Sequence, residues 1–241
     1  MVEWNRIHVG CCGFCLRQSE YFSTFRLLEV QRTFYKPPRV ETAERWRLQA
    51  PDDFTFTVKA WQSITHPPSS PTYRKAGIDL PASPDRFGYF RPTDEVMEAW
   101  ETTARVASIL RARVVVFQTP ASFAPTEENV ENVYRFFGNV ERHGFAFGWE
   151  PRGKWPASLV RRIDEELNLI DVVDPFKRMP ETRGTAYFRL HGRGGYRYRY
   201  TDEDLRHLLG LCSEFDEVYC LFNNVYMAED ATRFMEMLEK R

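Results

Sequence analysis

No apolar run in this 241-residue chain approaches the ~20 residues that a membrane-spanning helix needs. Its first residues, Met1-Val2-Glu3-Trp4-Asn5-Arg6-Ile7, lack the apolar core of a signal peptide. The expectation is a soluble cytoplasmic protein with no membrane partner. A dominant charge is also missing. The formal net charge is -1, so no global field draws the chain to nucleic acid or lipid headgroups. Cysteine is scarce, and the five present cannot all pair within the chain, which favours reduced thiols in a reducing compartment. Cys11, Cys12 and Cys15 do not resemble a zinc site built from two Cys-x-x-Cys pairs, since the remaining cysteines, Cys212 and Cys220, lie on late elements. Packing as small residues is their expected role, with Cys220 near the early group if strands one and eight adjoin. There is no His-Glu-x-x-His spacing, no organic cofactor motif, no solenoid repeat, no low-complexity tail and no domain linker.

What is present is an ordinary core-forming composition, 43 % hydrophobic with well-mixed charges. Arg far outnumbers Lys, which suits phosphate or carboxylate binding and equally a compositional bias. Eight strand patterns recur: Ile7 to Cys12, Leu28 to Phe34, Phe54 to Ala60, Arg113 to Gln118, Phe145 to Glu150, Leu169 to Val173, Ala186 to His191 and Glu217 to Asn223. Helical patterns separate most of them, at Glu41 to Leu48, Asp94 to Leu110, Glu127 to Arg142, Pro156 to Leu167, Asp202 to Phe215 and Glu229 to Lys240. Thr93, Thr126 and Thr201 each stand before early acids, as helix N-caps do. Alternation of this kind argues for a parallel sheet, and eight units argue for a closed α/β barrel, which typically takes ~250 residues. One domain over 1–241 is the expectation. The sixth crossover, Asp174 to Thr185, holds two prolines and no convincing helix. Residues 61–92 form a long Pro- and Ser-rich connection after strand three, where lids and binding loops sit.

Successive strand side chains point to opposite faces. Phe54, Phe56 and Val58 oppose Thr55, Thr57 and Lys59; Phe145, Phe147 and Trp149 oppose Ala146, Gly148 and Glu150. Phe188 and Leu190 oppose Tyr187, Arg189 and His191, and Leu28 and Val30 oppose Glu29 and Gln31. The bulky face suits a covering layer of helices. The other suits a barrel interior, where Glu29, Lys59, Glu150, Arg189, His191 and Asp171 would converge. Buried charges there must pair or shift their proton affinity, so a purely structural ion-pair network is the competing reading.

The order of short motifs resembles one family. Gly10-Cys-Cys-Gly-Phe14, Glu29-Val-Gln-Arg-Thr-Phe-Tyr35, Phe54-Thr-Phe-Thr-Val-Lys59 and Ile64-Thr-His66 come first. Phe117-Gln-Thr-Pro120, Trp149-Glu-Pro-Arg152, Arg189-Leu-His-Gly-Arg193 and Phe222-Asn-Asn224 follow. Together they resemble the domain-of-unknown-function-72 family, also called YecE-like, nearly end to end. The resemblance implies a TIM-barrel-like fold and no particular activity. The family's recurrent polar positions fall on Glu29, Lys59, His66, Gln118, Glu150, Arg152, Arg189, His191, Asn223 and Asn224. The chain departs from the pattern where Cys11, Cys12 and Cys15 stand in a loop that often carries Ser and Trp.

Several chemistries compete for these residues. Arg189 to Tyr200 leaves strand seven through a Gly-rich loop bearing Arg193, Arg197 and Arg199. Barrel enzymes often bind phosphate there, and arginines clamp anions in a bidentate way. Interleaved Arg and Tyr also suit stacking on single-stranded nucleic acid. Glu29 and Glu150 could form a carboxylate pair or, with His191 and Asp171, hold a divalent metal. Lys59 could form a Schiff base, although an ion pair with Glu29 on the adjacent strand is the simpler expectation. His66 is either a general acid or a buried, hydrogen-bonded histidine. The expected function is an enzyme acting, by hydrolysis, on a small phosphate-bearing or nucleic-acid-derived substrate. Glu150, His191, Lys59 and Glu29 would form its catalytic group. Arg189, Arg193, Arg152, Gln118, His66, Asn223 and Asn224 would bind substrate. The alternative is a non-catalytic nucleic-acid-binding module using loop 189–200.

Overall fold

A computed structural model of the chain describes residues 6–79 and 82–240. The first five residues, read above for a signal sequence, lie outside the described residues, as do residues 80 and 81 of the long connection. Eight strands close into a parallel barrel in chain order, with β1 (Ile7–Cys12) paired to both β2 (Leu27–Val30) and β8 (Glu217–Phe222). Between them lie β3 (Thr55–Lys59), β4 (Val114–Gln118), β5 (Ala146–Glu150), β6 (Leu169–Val173) and β7 (Thr185–Leu190). The fold is TIM-barrel-like, as strand number and alternation predict.

The barrel's covering helices are α1 (Gln18–Thr24), α2 (Arg32–Tyr35), α3 (Val40–Gln49), α4 (Gln62–Thr65), α5 (Pro71–Lys75), α6 (Asp94–Leu110), α7 (Glu127–Asn139), α8 (Ala157–Leu167), α9 (Asp202–Cys212) and α10 (Met227–Glu239). Thr93, Thr126 and Thr201 cap α6, α7 and α9, and at α9 Thr201 and Asp204 cap each other reciprocally. The sixth crossover holds no helix among its residues, in agreement with its prolines. Strand two is shorter than its apolar pattern, because Gln31 turns helical and starts α2.

Alternation sorts the core into two layers. Phe56, Val58, Phe117, Phe147, Trp149 and Phe188 pack between barrel and helices. Leu27, Val114, Val116, Val172, Tyr187, Tyr219 and Leu221 fill the barrel itself. At ~25 cal/mol per Å² the apolar area buried in these layers is the main term holding the barrel shut. The polar residues of the inner face lie above that plug, at the carboxyl ends of the strands.

Asp171 is a correction. It neighbours Trp149 in register and shares that residue's outward face, so Val172 and not Asp171 enters the barrel. Its carboxylate instead takes a bidentate pair from Arg178 in the helix-free crossover. The cysteines are all free thiols; β8 pairs with β1 and sets Cys220 opposite Val9, and the Cys220 sulfur lies 3.6 Å from that of Cys212.

Candidate active site

Strand ends assemble the site. Glu29 comes from β2, Lys59 ends β3, Gln118 ends β4, Glu150 ends β5, and Arg189 lies on β7 with His191 just beyond it. Arg189 is the hub and is 1 % exposed. Its Nε and Nη2 donate to the two carboxylate oxygens of Glu29 at 3.0 and 2.8 Å. Its Nη1 donates to Glu150 at 2.5 Å and reaches Gln118 Oε1 at 3.5 Å. Thr57 donates to the Tyr187 hydroxyl at 2.7 Å, and Tyr187 donates to Glu29 at 2.9 Å. Both oxygens of Glu29 are therefore taken. A guanidinium wins this place because its planar fork matches two carboxylates and carries weaker hydration than an ammonium.

The expectation that Arg189 binds the substrate's anion does not fit this geometry, since the side chain is buried and its guanidinium is turned onto Glu29, Glu150 and Gln118. The expected Glu29–Lys59 ion pair is absent for the same reason. Lys59 instead places its Nζ 3.8 Å from the centre of the Phe34 ring. Burial, then the Arg189 charge, lower its proton affinity to about 7. His66 is pushed to about 3 by burial, Lys59 and Arg152, and stays neutral; Thr65 Oγ1 lies 2.8 Å from its Nδ1. Burial presses the Glu150 carboxyl upward, but Arg189 and Arg152 outweigh it and hold the group at about 2.

From Glu150 a polar chain runs outward to solvent. Arg152 Nε donates to Glu150 at 2.8 Å, and Arg152 Nη2 donates to His191 Nε2 at 3.1 Å. Because an arginine can only donate, Nε2 accepts and Nδ1 carries the proton. That Nδ1 faces Asp174 Oδ2 at 3.6 Å, and the same oxygen accepts the His191 backbone N–H at 3.1 Å. Glu150, Arg152, Asp174 and His191 line a cavity of about 600 Å³ whose rim carries Lys177, Arg178 and Tyr196. Asp174, Lys177 and Arg178 were missed in the sequence. Their signal was position alone, just past β6 on a crossover too short of apolar pattern to be read.

The remaining candidates lie elsewhere. Arg193 turns away from the cavity, donating to Asp204 at 2.7 Å and lying over the Phe176 ring. Arg199 pairs with Glu229. Asn224 is buried and ties Tyr198 and Asp230 together with its amide. Asn223 donates its backbone N–H to Leu190, closing the β7–β8 end. The Arg/Tyr loop is thus largely tied down by its own acids, with Tyr196 and Arg197 exposed. Among the described residues no three His, Cys, Asp or Glu side chains converge as a metal-binding set, and Arg189 stands between Glu29 and Glu150. No helix among the described residues is long and apolar enough to cross a membrane.

A family model described as "Protein of unknown function DUF72" matches residues 16–241. The chain belongs to this family. A DUF72 family protein from Enterococcus faecalis V583 superposes with a TM-score of 0.74 at 22 % identity, over 97 % of each chain. The protein is 24 % identical to the UPF0759 protein YunF of Bacillus subtilis, over 91 % of this chain and 84 % of that one. A structure described as an AP endonuclease, family 2, from Brucella melitensis shares the fold at a TM-score of 0.56 and 15 % identity, covering 91 % of this chain and 93 % of that chain. In this DUF72 barrel, polar strand ends and a cavity occur on the same face, which is where barrel enzymes work.

Proposed function

We propose that the barrel is a hydrolase for a small phosphate-bearing substrate, bound in the cavity beside His191. The observation that carries this reading is the fixed order Asp174–His191–Arg152 on the cavity wall. Asp174 accepts the His191 backbone N–H and faces the protonated ring nitrogen, leaving Nε2 as the basic nitrogen, the arrangement of a general base. Arg152 is half exposed and keeps its Nε on Glu150, leaving its outer edge to meet two phosphate oxygens. A phosphate seated there replaces His191 as the partner of Arg152. The freed Nε2 then takes a proton from a water attacking phosphorus, and Asp174 stabilises the imidazolium. Lys177, exposed and 3.7 Å from Asp174, lies on the same wall. The cavity's volume falls within the ~300–1,000 Å³ of small-ligand sites. The likeness to an AP endonuclease favours a phosphodiester derived from nucleic acid as the finer substrate class.

Two chromogenic esters, p-nitrophenyl phosphate and bis(p-nitrophenyl) phosphate, test the reading. His191→Ala is expected to lower kcat by ~10²–10⁴ on the ester that turns over. Arg152→Lys is expected to raise KM chiefly, since it loses bidentate contact while keeping charge. A His191→Ala variant as fast as the parent, or no turnover of either ester by the parent, would overturn the assignment.

A further inference from the structure

The hydrolytic chain leaves one reactive group of the barrel mouth unused. Lys59 ends β3 on the inner face, two residues beyond Thr57, which pairs in register with Glu29. Its ammonium has two carboxylates within electrostatic reach, Glu29 and Glu150, and Arg189 has claimed both. Among the described residues Lys59 forms no ion pair and no side-chain hydrogen bond. Its Nζ sits over the face of Phe34, which attracts a cation but accepts no ordinary hydrogen bond. His66 packs edge-on against the same ring at 4.9 Å and is neutral, so it brings no counter-charge.

This environment is unusual for a merely structural lysine. A buried lysine normally snorkels its head to water or finds an acid. Here the side chain is 6 % exposed and flanked by two guanidinium groups, Arg189 and Arg152, that both disfavour its charge. Burial and Arg189 bring its proton affinity to about 7, so a large fraction is free amine near neutrality. A desolvated amine beside other cations is the condition under which lysine becomes a nucleophile toward carbonyl carbon.

We propose that Lys59 captures an aldehyde or ketone group of the substrate as a Schiff base. The Nζ lone pair forms a C–N bond to the carbonyl carbon, and the carbonyl oxygen becomes a hydroxyl. Loss of water then gives the imine, with both amine hydrogens leaving in that water. No oxidant or reductant is needed. The substrate class is thereby narrowed to anionic carbonyl compounds, sugar phosphates among them. The inference rests on the proposed phosphate-binding cavity only for the anionic group, and on Lys59 alone for the carbonyl.

Borohydride trapping tests it on the full chain. The parent protein is incubated with glyceraldehyde 3-phosphate or with glyceraldehyde, reduced with sodium cyanoborohydride, and mapped by peptide mass. The expected result is one adduct per chain, on Lys59, in preference to Lys36, Lys75, Lys154, Lys177 and Lys240. The phosphorylated aldehyde should label at least tenfold faster than the plain one. Labelling should rise with pH about a midpoint near 7, set by Arg189, Arg152, Glu29, Glu150 and His66 around the amine. Lys59→Arg keeps the cation over Phe34 and should lose the adduct. Label spread over the surface lysines, or no label at Lys59, would overturn the proposal. His191→Ala should still be trapped while losing ester hydrolysis, so the two readings fail separately.

Discussion

A single guanidinium decides most of the chemistry at the residue scale. Arg189 neutralises two buried carboxylates, and with burial it sets the protonation of Glu150 and Lys59. Glu150 is held ionised, Lys59 is deprived of a partner, and Tyr187 is pinned to Glu29. Removing one member of a buried pair leaves an uncompensated charge and costs about 3–5 kcal/mol. Arg189→Met is expected to lose that much stability by chemical denaturation. Adding Glu29→Gln and Glu150→Gln should restore most of it, because neutral amides need no counter-ion. A single variant within ~1 kcal/mol of the parent would show that the trio is not a closed network. Much of this trio was legible from alternation, which placed Glu29, Lys59, Glu150 and Arg189 on one face. Which acid pairs with which base was not legible. Pairing depends on reach and planarity across the barrel, from β7 to β2 and β5, and sequence adjacency favours the wrong partner, Lys59.

At the scale of elements, the strands were easier to read than their connections. Inner and outer layers follow from a period of two, so Phe56, Phe147 and Trp149 could be assigned by inspection. Asp171 broke the reading because its strand is apolar on both faces, Leu169-Ile170-Asp171-Val172-Val173, and period two has no contrast there. The helix-free sixth crossover hid Asp174 in the same way. Barrel closure itself depends on a small residue. A Cβ on Gly10 would stand 2.0 Å from the Leu27 carbonyl oxygen of the neighbouring strand. Backbone cannot rotate aside, so Gly10→Ala is expected to cost at least ~1–3 kcal/mol. Gly138 in α7 has open space around the same position, and Gly138→Ala should be neutral or stabilise by ~0.5–1 kcal/mol. Paired thermal melts of the two variants compare the sites, and an equal response from both would contradict the account.

The molecule as a whole balances opposed titrations. Glu150, His66 and Lys59 all have folded-state proton affinities below their ordinary values, so the unfolded chain binds protons that the fold refuses. Their contributions make stability rise with pH, from about 2 to 4.5 for Glu150, 3 to 6.5 for His66 and 7 to 10.5 for Lys59. Asp164 works the other way. It is 1 % exposed on α8, and neither carboxyl oxygen has a partner among the described residues. Burial, then the Asp171 charge, raise it from 3.8 to about 9. The fold therefore holds a proton that the unfolded chain releases, and stability falls as pH rises between those values. Opposed slopes give the parent a broad plateau through neutrality. Asp164→Asn keeps the shape of the protonated carboxyl without its titration. The variant should melt with the parent near pH 4, then exceed it by a margin that widens toward pH 9. By linkage the margin grows with each pH unit above 3.8, and each 1 kcal/mol corresponds to ~2–4 °C in a chain of this size. Melting curves at pH 4, 6, 8 and 9 decide the point. A constant offset across that range would mean that Asp164 does not titrate in the fold, and the plateau would then need another cause.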